Sequence, residues 1–182
     1  AGEPATGKTT LVKNTAKACL KSDTNSVYTV VCCDDYYKDA SKELQAAGSY
    51  ENLFESGFSF DTPDAIDLAL MKEHLISLKE GKEIYSPLYD FVTCVSKKDS
   101  ILKKPAKLIL NEGLYVLNES VRDIADVKIY VYTPFEVIKD RWFSRATSRG
   151  KTGLAAQMQF HDVNQTAFRY IRPTMDIADV VI

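Results

Sequence analysis

Residues 2–9, GEPATGKT, constrain this chain more than any other stretch: a glycine, four residues, then Gly7, Lys8 and Thr9. Such a loop curls successive backbone N–H groups around an anion, with glycine where a Cβ would block the turn or the ligand. The spacing predicts a phosphate-cradling P-loop built from Gly2, Glu3, Pro4, Ala5, Thr6, Gly7, Lys8, Thr9 and Thr10. Lys8 then reaches back to the phosphates, and the Thr9 hydroxyl can hold Mg²⁺. The residues that follow, TTLVKNTAKACLK, read as a helix whose N-terminal partial charge favours the anion beneath it. The alternative is a glycine turn with an exposed lysine; the helix directly behind favours the P-loop.

A chain of 182 residues suits one domain, residues 1–182, and can bury roughly 70% of the surface its unfolded form exposes. With 45% hydrophobic residues and a net charge of −2, it reads as a globular protein without a broad electrostatic footprint for nucleic acid. No apolar run approaches bilayer length and no signal peptide is visible, so no membrane partner and a cytoplasmic setting are expected. Cys19, Cys32, Cys33 and Cys94 show neither zinc spacing nor a disulfide framework, and three of them sit in apolar surroundings. A P-loop normally follows a buried strand, yet the sequence starts at Ala1 and stops within ADVVI. Both ends are therefore expected to be clipped, with the first strand central in the sheet.

Along the chain, 27–33 (VYTVVCC) is a β-branched run of strand length, with Asp34 and Asp35 at its carboxyl end. A short helix is expected at 41–47. Thr62-Pro63-Asp64 reads as a helix start, and Gly81 as its end. Extended pieces at 84–95 and 101–102 flank a polar turn, KKDS. Residues 107–110 and 127–132 are further strands, the first ending at Asn111, Glu112 and Gly113. Thr133-Pro134 opens a helix to about 149; Gly150 and Gly153 bracket a joint, a helix runs to about 170, and 180–182 begin a last strand. Strands alternating with helices predict an α/β fold with a parallel, doubly wound sheet covered on both faces.

In such sheets ligands gather at the carboxyl ends of strands, which selects Asp34, Asp35 and Glu112. Phosphoryl transfer needs one carboxylate near the attacking hydroxyl and others to hold Mg²⁺. Asp34 is the candidate base, and Thr9, Glu112 and Asp34 the candidate metal groups; capping a turn is the other reading of Asp34 and Asp35. Arg141, Arg145 and Arg149, four apart, lie on one helical face with Lys151 beyond them, and can close over transferring phosphates or simply form a solvated face. Tyr36, Tyr37, Phe60, Tyr89 and Phe91 fall in loop-like regions where an acceptor's ring could stack, though core packing explains Phe91 equally well. His74 reads as structural, and His161 has no assignable role.

The words GEPATGKTT, CDDYYKD (33–39), FDTPDAIDLALMKEHLISLKEGK (60–82), PLYDF (87–91), ILNEGLYVL (109–117), SRGK (148–151) and RPTMDIADVVI (172–182) resemble the uridine kinase and phosphoribulokinase family of P-loop kinases over almost the full length. The FDxPDAxD phrase with its downstream PxYDF is the specific part. It points to the uridine–cytidine kinase branch, which transfers the γ-phosphate of ATP to a nucleoside 5′-hydroxyl using Mg²⁺. The resemblance implies a P-loop NTPase-type sheet with a β-hairpin insertion at about 84–102 and a helical lid at about 141–160. It implies Asp34 as the base, Tyr37 beside the acceptor's base, Asp61 on the ribose hydroxyls and Tyr89 in the nucleobase pocket. It further implies Glu112 in the magnesium shell, Arg141, Arg149 and Lys151 near the acceptor or in the lid, and Gln159 on the nucleoside. Two positions depart. The family's pyrimidine-reading histidine is Cys94 here, a weak donor and weaker acceptor. Ser144 stands where a lid arginine is frequent, with Arg145 next door.

The leading expectation is an ATP- and Mg²⁺-dependent kinase acting on uridine or cytidine, a homo-oligomer being left open. A second keeps the machinery and changes the acceptor to another nucleoside, a nicotinamide riboside-like compound, a sugar phosphate or pantothenate; Cys94 favours it. A third is a nucleotide-binding switch without acceptor chemistry, which the lack of an NKxD guanine-reading motif and of an obvious water-positioning glutamine disfavours.

Overall fold

A computed structural model of the chain describes residues 1–20 and 28–182. Val27 and Lys21, expected at the ends of a strand and a helix, lie outside the described residues, as does the side chain of Cys19. In chain order the elements are α1 (Lys8–Leu20), β1 (Tyr28–Cys32), α2 (Ser41–Ala47), α3 (Tyr50–Glu55), α4 (Leu68–Lys79), β2 (Ile84–Asp90), β3 (Val95–Lys103), β4 (Leu108–Glu112), β5 (Ile129–Tyr130), α5 (Phe135–Ser148), α6 (Gly153–Thr166) and β6 (Val180–Val181).

β1 and β4 pair in parallel from Tyr28 opposite Leu108 to Cys32 opposite Glu112, and β5 and β6 pair in parallel from Ile129 opposite Val180. Ala1 joins the edge of β5: its amino group donates to the Ile129 carbonyl at 2.7 Å, and the Val131 N–H donates to the Ala1 carbonyl at 3.0 Å. The chain therefore enters the P-loop beside a strand end. Gly2, at φ +139, follows at once, where a Cβ would come within 2.5 Å of the Val131 carbonyl oxygen. Only glycine passes there without moving backbone.

The core lies between the β1–β4 pair and the helices and turns beside it. It contains Val31, Cys33 and Tyr36 from β1 and the 3₁₀ turn after it, Met71, Leu75 and Leu78 from one face of α4, and Tyr115 beyond β4. The spacing of the three α4 residues sets that face, and each contributes roughly 1.5–3 kcal/mol by leaving water. α5 and α6 pack on each other around a smaller core of Trp142, Ala146, Ala156 and Val163.

Two sequence expectations change. The phrase Thr62-Pro63-Asp64 does not open the long helix: Pro63–Ala65 is one 3₁₀ turn, Thr62 makes no side-chain cap, and α4 starts later with the Asp67 side chain accepting from the Leu70 N–H at 3.0 Å. Asp67 caps as well as threonine would, and backbone bonds from Lys38 to Ala65 and from Asp67 to Tyr36 hold the preceding residues extended. The polar KKDS is not the hairpin turn either. It runs within β3, with Ser96 opposite Tyr89 and Lys97 opposite Leu88, and the chain reverses at 91–94, where Cys94 takes φ +57. The Asp90 carboxylate fixes that reversal by accepting from the Val92 and Thr93 N–H groups.

Gly113, at φ +151, sits where a Cβ would be 2.2 Å from the Cys33 Cβ, so the end of β4 and the turn after β1 meet only through a glycine. Gly113→Ala is expected to lower stability by about 2 kcal/mol or more in urea denaturation, through overpacking and strain together. A loss below about 0.5 kcal/mol would mean that Cys33 has room to move.

Candidate active site

Parallel pairing of β1 with β4 aligns their carboxyl ends, and the P-loop lies against both. Asp34 follows β1 on its 3₁₀ turn and Glu112 ends β4. Lys8, Thr9, Asp34 and Glu112 line one cleft together with Pro4, Tyr37, Asp61, Tyr89, Cys94, Arg145, Arg149, Lys151 and Gln159. The Thr9 hydroxyl donates to Glu112 Oε1 at 2.8 Å, and the Cys32 thiol approaches the same oxygen at 3.4 Å. Lys8 folds back over its own loop and donates to the Glu3 carbonyl at 2.7 Å. Burial lowers its pKa to about 8, against the pull of Asp34 and Glu112. Glu3 turns its carboxylate the other way, onto Arg172 at 3.0 Å. Thr10 is exposed on α1 and does not line the cleft.

The hairpin of β2 and β3 forms the opposite wall. Its turn is fastened from outside: the Tyr50 hydroxyl donates to the Val92 carbonyl at 3.1 Å, and the Ala40 N–H donates to the Cys94 carbonyl at 3.0 Å. Tyr37, Tyr89 and Phe91 then pack ring on ring, with centroids 5.1–5.8 Å apart. Arg149 bridges the two walls. Its guanidinium lies 3.6 Å from the Phe91 ring centre and 3.9 Å from the Asp34 carboxylate. Arg145 enters the same cleft while Ser144 faces solvent.

Arg141 is placed differently from its two helical companions. Residues four apart overshoot a full helical turn by roughly 40°, so three of them fan out rather than stack. Trp142, Arg145, Ala146 and Arg149 face the cleft; Arg141 Nη1 instead lies 3.9 Å from where a Gly7 Cβ would be, beside the phosphate loop. Trp142 and Leu114 were not singled out from sequence. Trp142 carried one usable signal, its spacing of three from Arg145 and seven from Arg149.

Asp61 belongs to the cleft wall. It is buried, Gln159 Nε2 donates to its Oδ2 at 3.2 Å, and the Tyr115 hydroxyl donates to its backbone carbonyl. Burial raises the carboxyl pKa to about 6, the Gln159 bond opposing. The two histidines lie elsewhere: His74 Nδ1 meets the Tyr36 hydroxyl at 2.9 Å, and His161 is exposed. Among the described residues Cys32, Cys33 and Cys94 are free thiols, and no helix is long and apolar enough to cross a membrane.

A parallel α/β fold whose strand ends face a P-loop, a lysine and two carboxylates defines a P-loop phosphotransferase. The chain belongs to the phosphoribulokinase / uridine kinase family, whose model matches residues 1–182. A uridine kinase from Borrelia turicatae (strain 91E135) is 33% identical over 184 residues, covering 100% of this chain and 82% of that protein. In fold the chain resembles a possible uridine kinase from Bacillus stearothermophilus, with a TM-score of 0.65 at 16% identity over 100% of this chain and 84% of that one. It likewise resembles phosphoribulokinase from Rhodobacter spheroides, with a TM-score of 0.65 at 18% identity over 100% and 67%. At those identities the structures speak for the fold alone, and they bear out the P-loop α/β architecture read from the sequence.

The Asp61 environment has a consequence for stability. Its folded pKa lies above the unfolded value, so the folded state holds a proton that the unfolded state has lost between about pH 4 and pH 6. Stability therefore falls as pH rises through that window, and the penalty persists above it. Asp61→Asn, which keeps an oxygen for Gln159, is expected to raise stability by about 2 kcal/mol at pH 7.5 and to flatten the dependence between pH 4 and 6 in urea titrations. Equal stabilities of the two proteins at pH 7.5 would show that the carboxylate is better solvated than its burial implies.

Proposed function

We propose that the protein transfers the γ-phosphate of ATP to the 5′-hydroxyl of uridine or cytidine. One observation carries the reading: Lys8, which would hold the phosphates, and Asp34, which would deprotonate an alcohol, line the same cleft. The triphosphate lies along residues 2–9 with its terminal group toward Asp34. The nucleoside lies between the ring wall of Tyr37, Tyr89 and Phe91 and the α5–α6 side, with its ribose hydroxyls toward Asp61 and Gln159. Asp34 takes the proton as the alcohol oxygen attacks. Arg145 and Arg149 supply positive charge where the transferring group spreads its negative charge, and Arg141, beside Gly7, adds to the phosphate end.

Magnesium fits the phosphate end. Mg²⁺ takes few protein ligands and completes its shell with phosphate oxygens and water. Thr9 and Glu112, already 2.8 Å apart, and Asp34 opposite are hard oxygen donors of the right kind. Bound there, the ion would neutralise charge on the phosphates; the chain's own groups orient the alcohol and take its proton.

Cys94 favours a second reading in which the same machinery phosphorylates another acceptor. Its sulfur is buried and 3.5 Å from the Tyr50 hydroxyl, so the hairpin wall presents a thiol where a stronger hydrogen-bonding group would mark a polar base. A coupled assay across uridine, cytidine, other nucleosides, a nicotinamide riboside-like compound, sugar phosphates and pantothenate decides between the two.

Asp34→Asn is expected to lower kcat/KM at least 10²-fold, about the share that a positioned base supplies, while the Kd for ATP changes by less than about threefold. Lys8→Ala is expected to weaken ATP binding and rate together. Unchanged transfer in Asp34→Asn would remove that carboxylate from the reaction.

A further inference from the structure

The phosphate loop carries a negative charge of its own. Glu3 stands between Gly2 and Pro4 and is only 8% exposed. Its backbone carbonyl is a hub of the loop, accepting from the Lys8 ammonium at 2.7 Å and from the Thr6 hydroxyl at 2.9 Å. A carboxylate at that place works against a loop that must hold a polyanion, because like charges at short range repel and little water screens them there. It also competes for Lys8, since an ammonium seated on the Glu3 carbonyl is within reach of the Glu3 side chain.

That charge is met from a distant part of the chain. Arg172 Nη2 donates to Glu3 Oε2 at 3.0 Å across 169 residues, and among the described residues this is the one ion pair Glu3 makes. Arg172 opens the 3₁₀ turn Arg172–Ile177 directly after Ile171, which is buried in the main core. Its backbone is thus fixed before its side chain reaches out. The pair lines a separate groove with Tyr130 and Thr133, whereas Pro4, Lys8 and Thr9 line the cleft. The carboxylate is therefore turned away from the side on which a triphosphate would lie. Its side chain is 11% exposed against 40% for Arg172, so the bond is sheltered at the carboxylate and partly wet at the guanidinium.

We propose that Arg172 is a positioning residue for ATP: it holds the Glu3 carboxylate on the outer side of the phosphate loop, keeping that charge off the phosphates and off Lys8. The inference rests on the ATP-binding reading above and involves no group that touches the acceptor. Without the guanidinium, the carboxylate is free to rotate about its own side-chain bonds toward the Lys8 ammonium. Lys8 would then sit in an ion pair, and every phosphate contact would first have to break it. Arg172 thus acts through Glu3 and not on the ligand, and a neutral Gln in place of Glu3 removes the need for it.

The test is a double-mutant cycle, read by calorimetric titration of the whole chain with ATP and Mg²⁺. Arg172→Met is expected to raise the Kd for ATP about tenfold, the order of one hydrogen bond to a charged group. Arg172→Lys, which keeps the charge, should stay within about threefold of the unsubstituted protein. The decisive comparison is made in the Glu3→Gln background, where Arg172→Met should change Kd by less than about twofold. In steady state the rise should appear in KM for ATP, while KM for the acceptor moves by less than about twofold. Arg172→Gln serves where the methionine variant does not fold. A loss that persists undiminished in the Glu3→Gln background would mean that Arg172 acts on ATP directly or only braces the fold. Normal ATP binding by Arg172→Met would mean that the carboxylate needs no restraint. Either result overturns the inference and leaves the kinase reading intact. If the unsubstituted protein binds no ATP, the inference and the ATP reading fall together.

Discussion

The register between β1 and β4 is the constraint on which the cleft depends. Because the strands run parallel with Cys32 opposite Glu112, both end on the same edge, and the residues just beyond them share one space. A slip of two residues would move Glu112 away from Thr9 and part the two carboxylate-bearing ends. The register is fixed from both sides. Val31 is fully buried, so a one-residue slip would turn the β1 core residues to the wrong face, and Gly113 leaves no slack between strand end and Cys33. A packing requirement thereby sets a chemical distance.

Around that edge the structure assembles opposite charges without neutralising them in close pairs. Asp34 and Arg149 approach only to 3.9 Å and remain partly solvated, so their mutual attraction is modest and either is free to turn to a ligand. Lys8 is held by a backbone carbonyl rather than by a carboxylate. Exchanging a neutral hydrogen bond for a phosphate costs less than breaking a buried ion pair would. The stacking of Arg149 on Phe91 links the lysine side of the cleft to the hairpin, so α5 and the hairpin wall are coupled through one side chain.

Much of this was legible in the sequence because its signals are local. The P-loop, the β-branched run before Asp34 and the helix behind Lys8 each need only neighbours to form, and they appear where the pattern puts them. The acids were found because strand ends in an α/β fold share an edge. What escaped was decided by long-range contacts. The hairpin reverses at 91–94 rather than at KKDS because Tyr50, Ala40 and the Asp90 carboxylate fasten that turn, and none of these bonds is written in turn propensity. α4 starts at Asp67's cap because extended pairing of Tyr37 with Ile66 continues past Pro63. Arg141 parts from Arg145 and Arg149 because equal spacing in sequence is unequal angle on a helix, and Trp142 stands among charged neighbours whose pattern reads as a solvated face.

The groups that cost the fold most are the ones that face the cleft. Asp61 is buried with its carboxyl pushed up to about 6, Lys151 is buried over three rings, and the Tyr89 hydroxyl is enclosed with no hydrogen-bond partner among the described residues. Each would be replaced at a gain in stability were packing the only demand, since an enclosed polar group without a bond is worse than an apolar one of the same shape. They also carry complementary needs: Asp61 can accept from hydroxyls, while Lys151 and Tyr89 can donate to an oxygen. Stability given up at these positions marks the cleft as the part of the structure that packing alone does not explain.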